Sequence, residues 1–134
     1  MVRTGKHGAR GFTLIEMMIV ISIMLILLSI ATPLYMQSIA RARDAVLRQD
    51  LYTMRQSIDQ FTLDKQRAPQ SLEELVQEHY LSQIPIDPCT NSRDTWQVEQ
   101  EDIMLAVDQT QPGITDVHSG CQATAPDGTP YSSW

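Results

Sequence analysis

Basic residues are scarce in the second half of this 134-residue chain. After Ser71, Arg93 is the only lysine or arginine, against eleven acids. A surface with that balance repels phosphate groups, so the composition argues against nucleic-acid binding. The length allows one small domain beside a long helix, not two full domains.

Motifs of the common enzyme classes are also missing. The chain has no Gly-rich phosphate loop, no GxSxG and no HExxH, and its three histidines are scattered. The two cysteines, Cys89 and Cys121, do not form a CxxC pair. We therefore predict that the protein is not an enzyme. His118, the only histidine close to either cysteine in sequence, is expected to be an ordinary surface or strand-end residue, with a ligand role as the alternative.

Charge is absent between Met17 and Ala40, where Leu, Ile, Met, Val and Ala fill most of the first part. About 18 to 20 such residues in a helix cross a hydrocarbon layer of roughly 30 Å. A short basic head, residues 1–11, precedes the run, and Glu16 lies just inside it. An ionised side chain there costs about 2.5–3.5 kcal/mol on insertion scales unless it is paired. Any account of this segment must therefore explain Glu16.

Three interpretations of the apolar segment are open. A signal peptide cut after Ser29-Ile30-Ala31 would have a shorter apolar core. A plain membrane anchor explains the length but not Glu16. A cut between Gly11 and Phe12 would leave Phe12 with a free α-amine and place Glu16 one helical turn into the mature chain. The Glu16 carboxylate could then pair with the α-amine of a neighbouring copy, which turns a costly charge into an assembly contact.

The string Arg10-Gly11-Phe12-Thr13-Leu14-Ile15-Glu16, with the apolar helix and Pro33 behind it, resembles the class III signal of type IV pilins and type II secretion pseudopilins. The resemblance implies that a prepilin peptidase cuts after Gly11 and methylates Phe12. It also implies that Glu16 and Pro33 are assembly positions of the mature helix.

The same resemblance divides the chain into three parts. Residues 1–11 form a prepilin leader, residues 12–33 a transmembrane and assembly helix, and residues 34–134 a periplasmic pilin-like domain. The basic head places the N-terminus in the cytoplasm, and the one apolar helix then crosses the inner membrane once. Cys89 and Cys121 then lie in an oxidising compartment and are expected to form a disulfide, with a metal pair or a reactive thiol as the alternative.

The chain after Pro33 predicts an α+β fold. Apolar residues recur at helical spacing and extend one helix to about fifty residues, with a kink or local melting at Pro33 and an end before Pro69. These stripe residues are Leu47, Leu51, Met54, Ile58 and Phe61. Ser71 and Glu74 form a capping box for a short helix that ends near His79.

Three short strands of a small antiparallel sheet are predicted to follow. They contain Trp96 and Val98, then Ile103 to Val107, then residues 114–118, with turns near Glu101-Asp102 and at Pro112-Gly113. The tail from Gln122 is a loop that needs anchoring.

The order of elements resembles the G-type major pseudopilin, in which a short second helix precedes a proline–aspartate–proline–tryptophan connector. Ile84-Pro85-Ile86-Asp87-Pro88 matches that connector, with Cys89 where the family has an aromatic residue. The family also holds calcium in its C-terminal loop. Asp116, Ser119 and Asp127 could supply some of the oxygens that calcium requires, and the alternative is that both aspartates are simply solvated.

The predicted function is that of a structural subunit of a type II secretion pseudopilus, which polymerises from the inner membrane to drive protein export. Its expected partners are other copies of the chain, the prepilin peptidase, the inner-membrane assembly platform and minor pseudopilins. The alternatives are a type IV pilin of an extracellular filament, used for adhesion, motility or DNA uptake, and a monomeric membrane-anchored binding domain.

Overall fold

The structure is a computed structural model that describes residues 11–101 and 112–134. Helix α1 spans Leu14–Lys65 and helix α2 Leu72–Gln77, and they are followed by strand β1 (Gln97–Glu101), strand β2 (Gly113–His118) and a 3-10 turn at Tyr131–Ser133. A long helix, a short helix and a small antiparallel sheet confirm the α+β, pilin-like prediction. The chain forms two compact units, which meet between Ser38 and Ile39 and are described separately below.

Helix α1 is 52 residues long and runs through Pro33 without ending there, as predicted. Its first turn is capped by Thr13, whose hydroxyl accepts the N–H of Glu16 at 3.2 Å. After Lys65, Gln66 takes a left-handed conformation with φ of 56°, a common way to end a helix. The helix therefore ends before Pro69, where the sequence predicted its end.

The apolar stripe of α1 forms the core of the second unit, which confirms the helical periodicity. All five stripe residues are buried, and Met54 and Phe61 have no exposed surface. Six residues from the rest of the unit complete this cluster: Leu72, Leu75, Leu81, Trp96, Ile114 and Val117. The core thus joins the second half of α1 to α2 and to the sheet.

The N-terminus of α2 differs slightly from the predicted capping box. The hydroxyl of Ser71 accepts the N–H of Glu74 at 3.3 Å, as expected for an N-cap. The carboxylate of Glu74 reaches back one residue further, to the N–H of Gln70 at 2.7 Å. The helix also ends at Gln77, earlier than predicted, because His79 adopts a left-handed φ of 63°.

The sheet pairs β1 with β2 in antiparallel register, with Val98 opposite Val117. The strand predicted at residues 114–118 is β2, but it begins at Gly113, which pairs with Glu101 instead of forming a turn. Trp96, which was predicted to lie in the first strand, precedes it; its indole N–H donates to the backbone oxygen of Pro85 at 2.9 Å. The strand predicted around Ile103 to Val107 lies outside the described residues.

Candidate assembly segment and its supporting domain

The first unit exposes a long apolar surface. Every residue from 11 to 38 is exposed. The most apolar 18-residue window of α1 has a mean hydropathy of 2.7, and none of it is buried. Within residues 11–101 and 112–134, α1 is the one helix long and apolar enough to cross a membrane. A surface of this kind requires lipid or other apolar helices around it.

Two polar side chains in this segment bond to their own helix. The hydroxyl of Ser22 donates to the backbone oxygen of Met18 at 2.7 Å, and that of Thr32 to the backbone oxygen of Leu28 at 2.8 Å. Such bonds satisfy hydroxyl groups where no water is present. Pro33 has no N–H, so the carbonyl of Ser29 loses its usual helical donor. The helix is therefore locally weakened at Pro33.

Glu16 and the Gly11–Phe12 junction lie at the start of this segment. Glu16 occupies the first turn of α1, where the helix dipole favours a negative charge. The ion pairs among the described residues all belong to the second unit, so none of them neutralises Glu16. Phe12 is 76% exposed, and a Cβ added at Gly11 would meet no atom within 4 Å. The junction therefore precedes the helix, and no other residue of the described part of the chain crowds Gly11.

In the second unit, a disulfide joins the connector after α2 to the loop after β2. Cys89 and Cys121 are bonded, with their Cα atoms 5.9 Å apart, inside the range of about 4.4–6.8 Å that disulfides adopt. Hydrogen bonds join the same two segments. The buried Asp87 carboxylate accepts the N–H of Cys89 at 2.8 Å and the hydroxyl of Ser119 at 2.5 Å, and the Ser119 oxygen accepts the N–H of Cys121 at 3.1 Å.

Asp87 is a residue whose role the sequence analysis missed. Its bond to the N–H two residues later is an Asx turn, which an aspartate between two prolines could have indicated. Its partner Ser119 is 32 residues away, and no local pattern predicts that contact. Asp87 also affects Asp50 on α1. Burial raises the pKa of Asp50 most, and repulsion from the Asp87 carboxylate raises it further.

The residues predicted to bind calcium have protein partners. Asp116 accepts the Nε–H of Arg55 at 2.5 Å and the N–H of Val117 at 2.7 Å. Burial alone would raise the pKa of Asp116, but these hydrogen bonds outweigh burial, and the pKa is lowered. Asp127 accepts the N–H and hydroxyl of Thr129 at 2.9 and 2.6 Å, and these bonds lower its pKa. A calcium ion would have to compete with these donors for the carboxylates of Asp116 and Asp127. It would also have to compete with Asp87 for the hydroxyl of Ser119.

The C-terminal loop is anchored on α1, as the sequence required. Arg55 donates from Nη2 to the backbone oxygens of Val117 and Trp134 at 3.0 and 2.9 Å. The guanidinium of Arg48 lies over the Trp134 ring, 4.0 Å from its centroid. The hydroxyl of Tyr131 donates to Asp44 at 2.5 Å, a bond that raises the pKa of Tyr131 to about 12.

Comparisons with known proteins match the N-terminal segment and, in part, the second unit. A family described as the prokaryotic N-terminal methylation motif matches residues 6–32. The type IV major fimbrial protein FimA of Dichelobacter nodosus is 41% identical over 63 residues, 47% of this chain and 39% of that protein. No solved structure matches the chain.

Longer similarities cover more of the second unit. The type II secretion system core protein G of Klebsiella michiganensis is 31% identical over 99 residues, 62% of this chain and 70% of that protein. The protein of the same name from Pseudomonas aeruginosa is 32% identical over 102 residues, 64% of this chain and 72% of that protein. With the N-terminal motif, the exposed apolar helix and the α+β domain, these similarities show that the chain belongs to the family of the type II secretion system core protein G, the major pseudopilins.

Proposed function

We propose that the protein is cut between Gly11 and Phe12 and polymerises as the structural subunit of a type II secretion pseudopilus, the filament that drives protein export. The observation that carries this proposal is the exposed apolar segment of α1, with a carboxylate, Glu16, in its first turn that has no ion-pair partner within residues 11–101 and 112–134. A monomeric anchor would not require that charge. No catalytic role is proposed.

Assembly exchanges one apolar environment for another. In the membrane, lipid surrounds residues 12–33; in the filament, the same residues pack against the helices of other copies. The cut frees the α-amine of Phe12, which can pair with Glu16 of a neighbouring copy and neutralise both charges as they leave water. The missing hydrogen bond at Pro33 lets the helix adjust locally as the copies pack.

The proposed topology follows from the charges of the chain. The basic leader, residues 1–11, stays in the cytoplasm, the helix crosses the inner membrane once, and residues 34–134 form the periplasmic domain. The disulfide between Cys89 and Cys121 suits that oxidising compartment. The proposed partners are further copies, the prepilin peptidase, the inner-membrane assembly platform and minor pseudopilins. Calcium binding by Asp116, Ser119 and Asp127 stays a prediction from the family resemblance.

Intact mass measurement of the protein purified from membranes tests the processing step. We expect the mass of a chain that begins at Phe12 and carries one additional methyl group. Gly11→Leu should block the cut, whereas Gly8→Leu, three residues earlier in the leader, should be processed normally. A chain that still begins at Met1, or one cut after Ala31, would contradict the proposal.

A type IV pilin is the second candidate, favoured by the 41% identity to the fimbrial protein over 63 residues. Deletion of the gene separates the two functions. A pseudopilin deletion abolishes export of secreted proteins and leaves extracellular filaments unchanged, whereas a pilin deletion removes the filaments and leaves export intact. If periplasmic crosslinking of the wild-type protein detects no oligomers, both filament functions are wrong.

A further inference from the structure

Three side chains with metal-binding atoms meet on the outer face of the sheet. Glu99 on β1 pairs directly with Asp116 on β2, and His118 follows two residues later on the same face. The Nε2 atom of His118 lies 3.5 Å from a carboxylate oxygen of Glu99 and 3.6 Å from Oδ2 of Asp116. One such atom from each residue lies within 4.8 Å of the other two.

The orientation of His118 leaves Nε2 available. Its other nitrogen, Nδ1, lies 2.6 Å from the backbone oxygen of Trp134, which can only accept a hydrogen bond. Nδ1 therefore donates to that oxygen, and whenever the ring is neutral, Nε2 has a lone pair that faces the two carboxylates. Histidine ligands of metal ions usually have their second nitrogen bonded in this way, since the bond fixes the ring and its tautomer.

We propose that Glu99, Asp116 and His118 bind a divalent transition metal, with Zn²⁺ as the best fit. Tetrahedral zinc with bonds of about 2.0–2.2 Å places its ligand atoms roughly 3.3–3.6 Å apart. The distances from Nε2 to the two carboxylates, 3.5 and 3.6 Å, already match that spacing. An imidazole among the ligands favours zinc over calcium or magnesium, which prefer oxygen.

The surroundings of Asp116 support this geometry and also limit its affinity. Its Oδ1 receives the hydrogen bonds from Arg55 and Val117, which leaves Oδ2 for the metal. Arg55 thus holds the carboxylate in place, but its positive charge opposes the cation. The Glu99 side chain is 62% exposed and must lose conformational freedom on binding. The site should therefore bind zinc more weakly than a closed structural site with four ligands.

Zinc titration of the full-length protein in detergent micelles, after treatment with a chelator, tests the proposal. All samples carry His7→Ala, so that the leader contributes no imidazole. We expect one Zn²⁺ per chain. Loss of a residue that only supports a metal ligand typically weakens metal binding about 10- to 100-fold, so His118→Ala, which removes a ligand, should weaken zinc binding by at least that much. His79→Asn is the matched control: it removes an exposed histidine at a left-handed position that asparagine tolerates.

Carboxylate variants sharpen the assignment. Glu99→Gln should weaken zinc binding, while Glu101→Gln, on the same strand, should not. Asp127→Asn should also leave zinc binding unchanged, which separates this site from the calcium set predicted from the sequence. Equal displacement of zinc by Ca²⁺ would overturn the proposal.

A readout on the unmodified ring removes any dependence on how the variants fold. In the protein with His118 intact, zinc should shift the ring resonances of His118 and leave those of His79 in place. Absence of stoichiometric binding, unchanged His118 resonances, or wild-type affinity in a folded His118→Ala variant would each overturn the proposal. The proposal does not depend on the membrane segment or on assembly, so its failure would not affect the proposed secretion function.

Discussion

The two units of the chain obtain their stability from different sources. Residues 11–38 are exposed throughout, and the hydroxyl groups of Ser22 and Thr32 bond within the same helix. Ile39–Trp134 has a buried core, ion pairs and a disulfide of its own. The first unit thus depends on lipid or on other copies, and the second on its own contacts. Substitutions in the first should therefore change assembly, and substitutions in the second should change folding.

The largest effect is expected from Glu16→Ala. Removing this charge eases insertion, because its cost in lipid disappears, but it leaves the α-amine of Phe12 without a partner in the filament. Loss of one member of a buried pair costs about 3–5 kcal/mol, or roughly 100- to 4000-fold in recruitment per contact. Filament yield should fall accordingly, while the melting temperature of the second unit stays unchanged. Yield is measured by electron microscopy and crosslinking.

Processing must be measured in the same Glu16→Ala cells, because the peptidase also acts at this end of the chain. Ser22→Ala is the control, since it changes a polar group of the same segment that carries no charge and bonds within its own helix. Its filament yield should equal wild type. If Glu16→Ala is processed normally and forms wild-type amounts of filament, Glu16 is not an assembly charge.

Phe61→Ala should show the opposite behaviour. Phe61 is fully buried and packs edge-on against the Tyr80 ring, with centroids 5.3 Å apart. Truncation of such a residue lowers the free energy of unfolding by about 3–5 kcal/mol. Leu63→Ala, two positions along the same helix and 71% exposed, should change it by less than about 0.5 kcal/mol. Urea unfolding monitored by tryptophan fluorescence compares the two, and equal effects would contradict the described core.

Removing the disulfide should have the next largest effect on the second unit. The bond joins residues 32 positions apart, and closing a loop of that length is worth about 3–4 kcal/mol in the chain-entropy model. The Cys89→Ala, Cys121→Ala double variant should unfold at a correspondingly lower urea concentration. Dithiothreitol should lower the stability of wild type and leave the double variant unaffected. If reduction leaves the free energy of unfolding of wild type unchanged, the hydrogen bonds of Asp87 are enough to hold the two segments together.

The smallest effect concerns Glu74 and depends on pH. Burial would raise the pKa of Glu74, but the hydrogen bonds from Arg67 and Gln70 outweigh burial and lower it. A lowered pKa stabilises the fold above the unfolded value of about 4.3, and this contribution is lost as the pH falls through the folded value. Glu74→Gln should therefore cost about 1 kcal/mol at pH 7 and much less near pH 3.

Glu73→Gln, on the exposed side of α2, is the control for this pH dependence. Its free energy of unfolding should stay within about 0.5 kcal/mol of wild type at both pH values. If Glu74→Gln destabilises the protein equally at pH 7 and pH 3, the ionised carboxylate is not what stabilises the start of α2.

Local patterns determined much of this protein. The basic head, Glu16 and the apolar run follow one another closely in the sequence, so the resemblance to a prepilin signal can be recognised from sequence alone. The stripe from Leu47 to Phe61 predicted the buried face of α1 because helical periodicity depends only on spacing. The capping box of Ser71 and Glu74 likewise predicted the N-cap at Ser71, because the motif depends only on local spacing.

Contacts between distant residues were decided only by the tertiary structure. The sequence predicted three consecutive strands, but it did not show that β1 pairs with β2, on the far side of residues 102–111. Arg55 reaches Asp116, 61 residues away, and Asp87 reaches Ser119. The group of Glu99, Asp116 and His118 exists only because antiparallel pairing places opposite residues side by side. Spacing along a chain predicts which face a residue occupies, whereas the partner on that face depends on how the elements fold together.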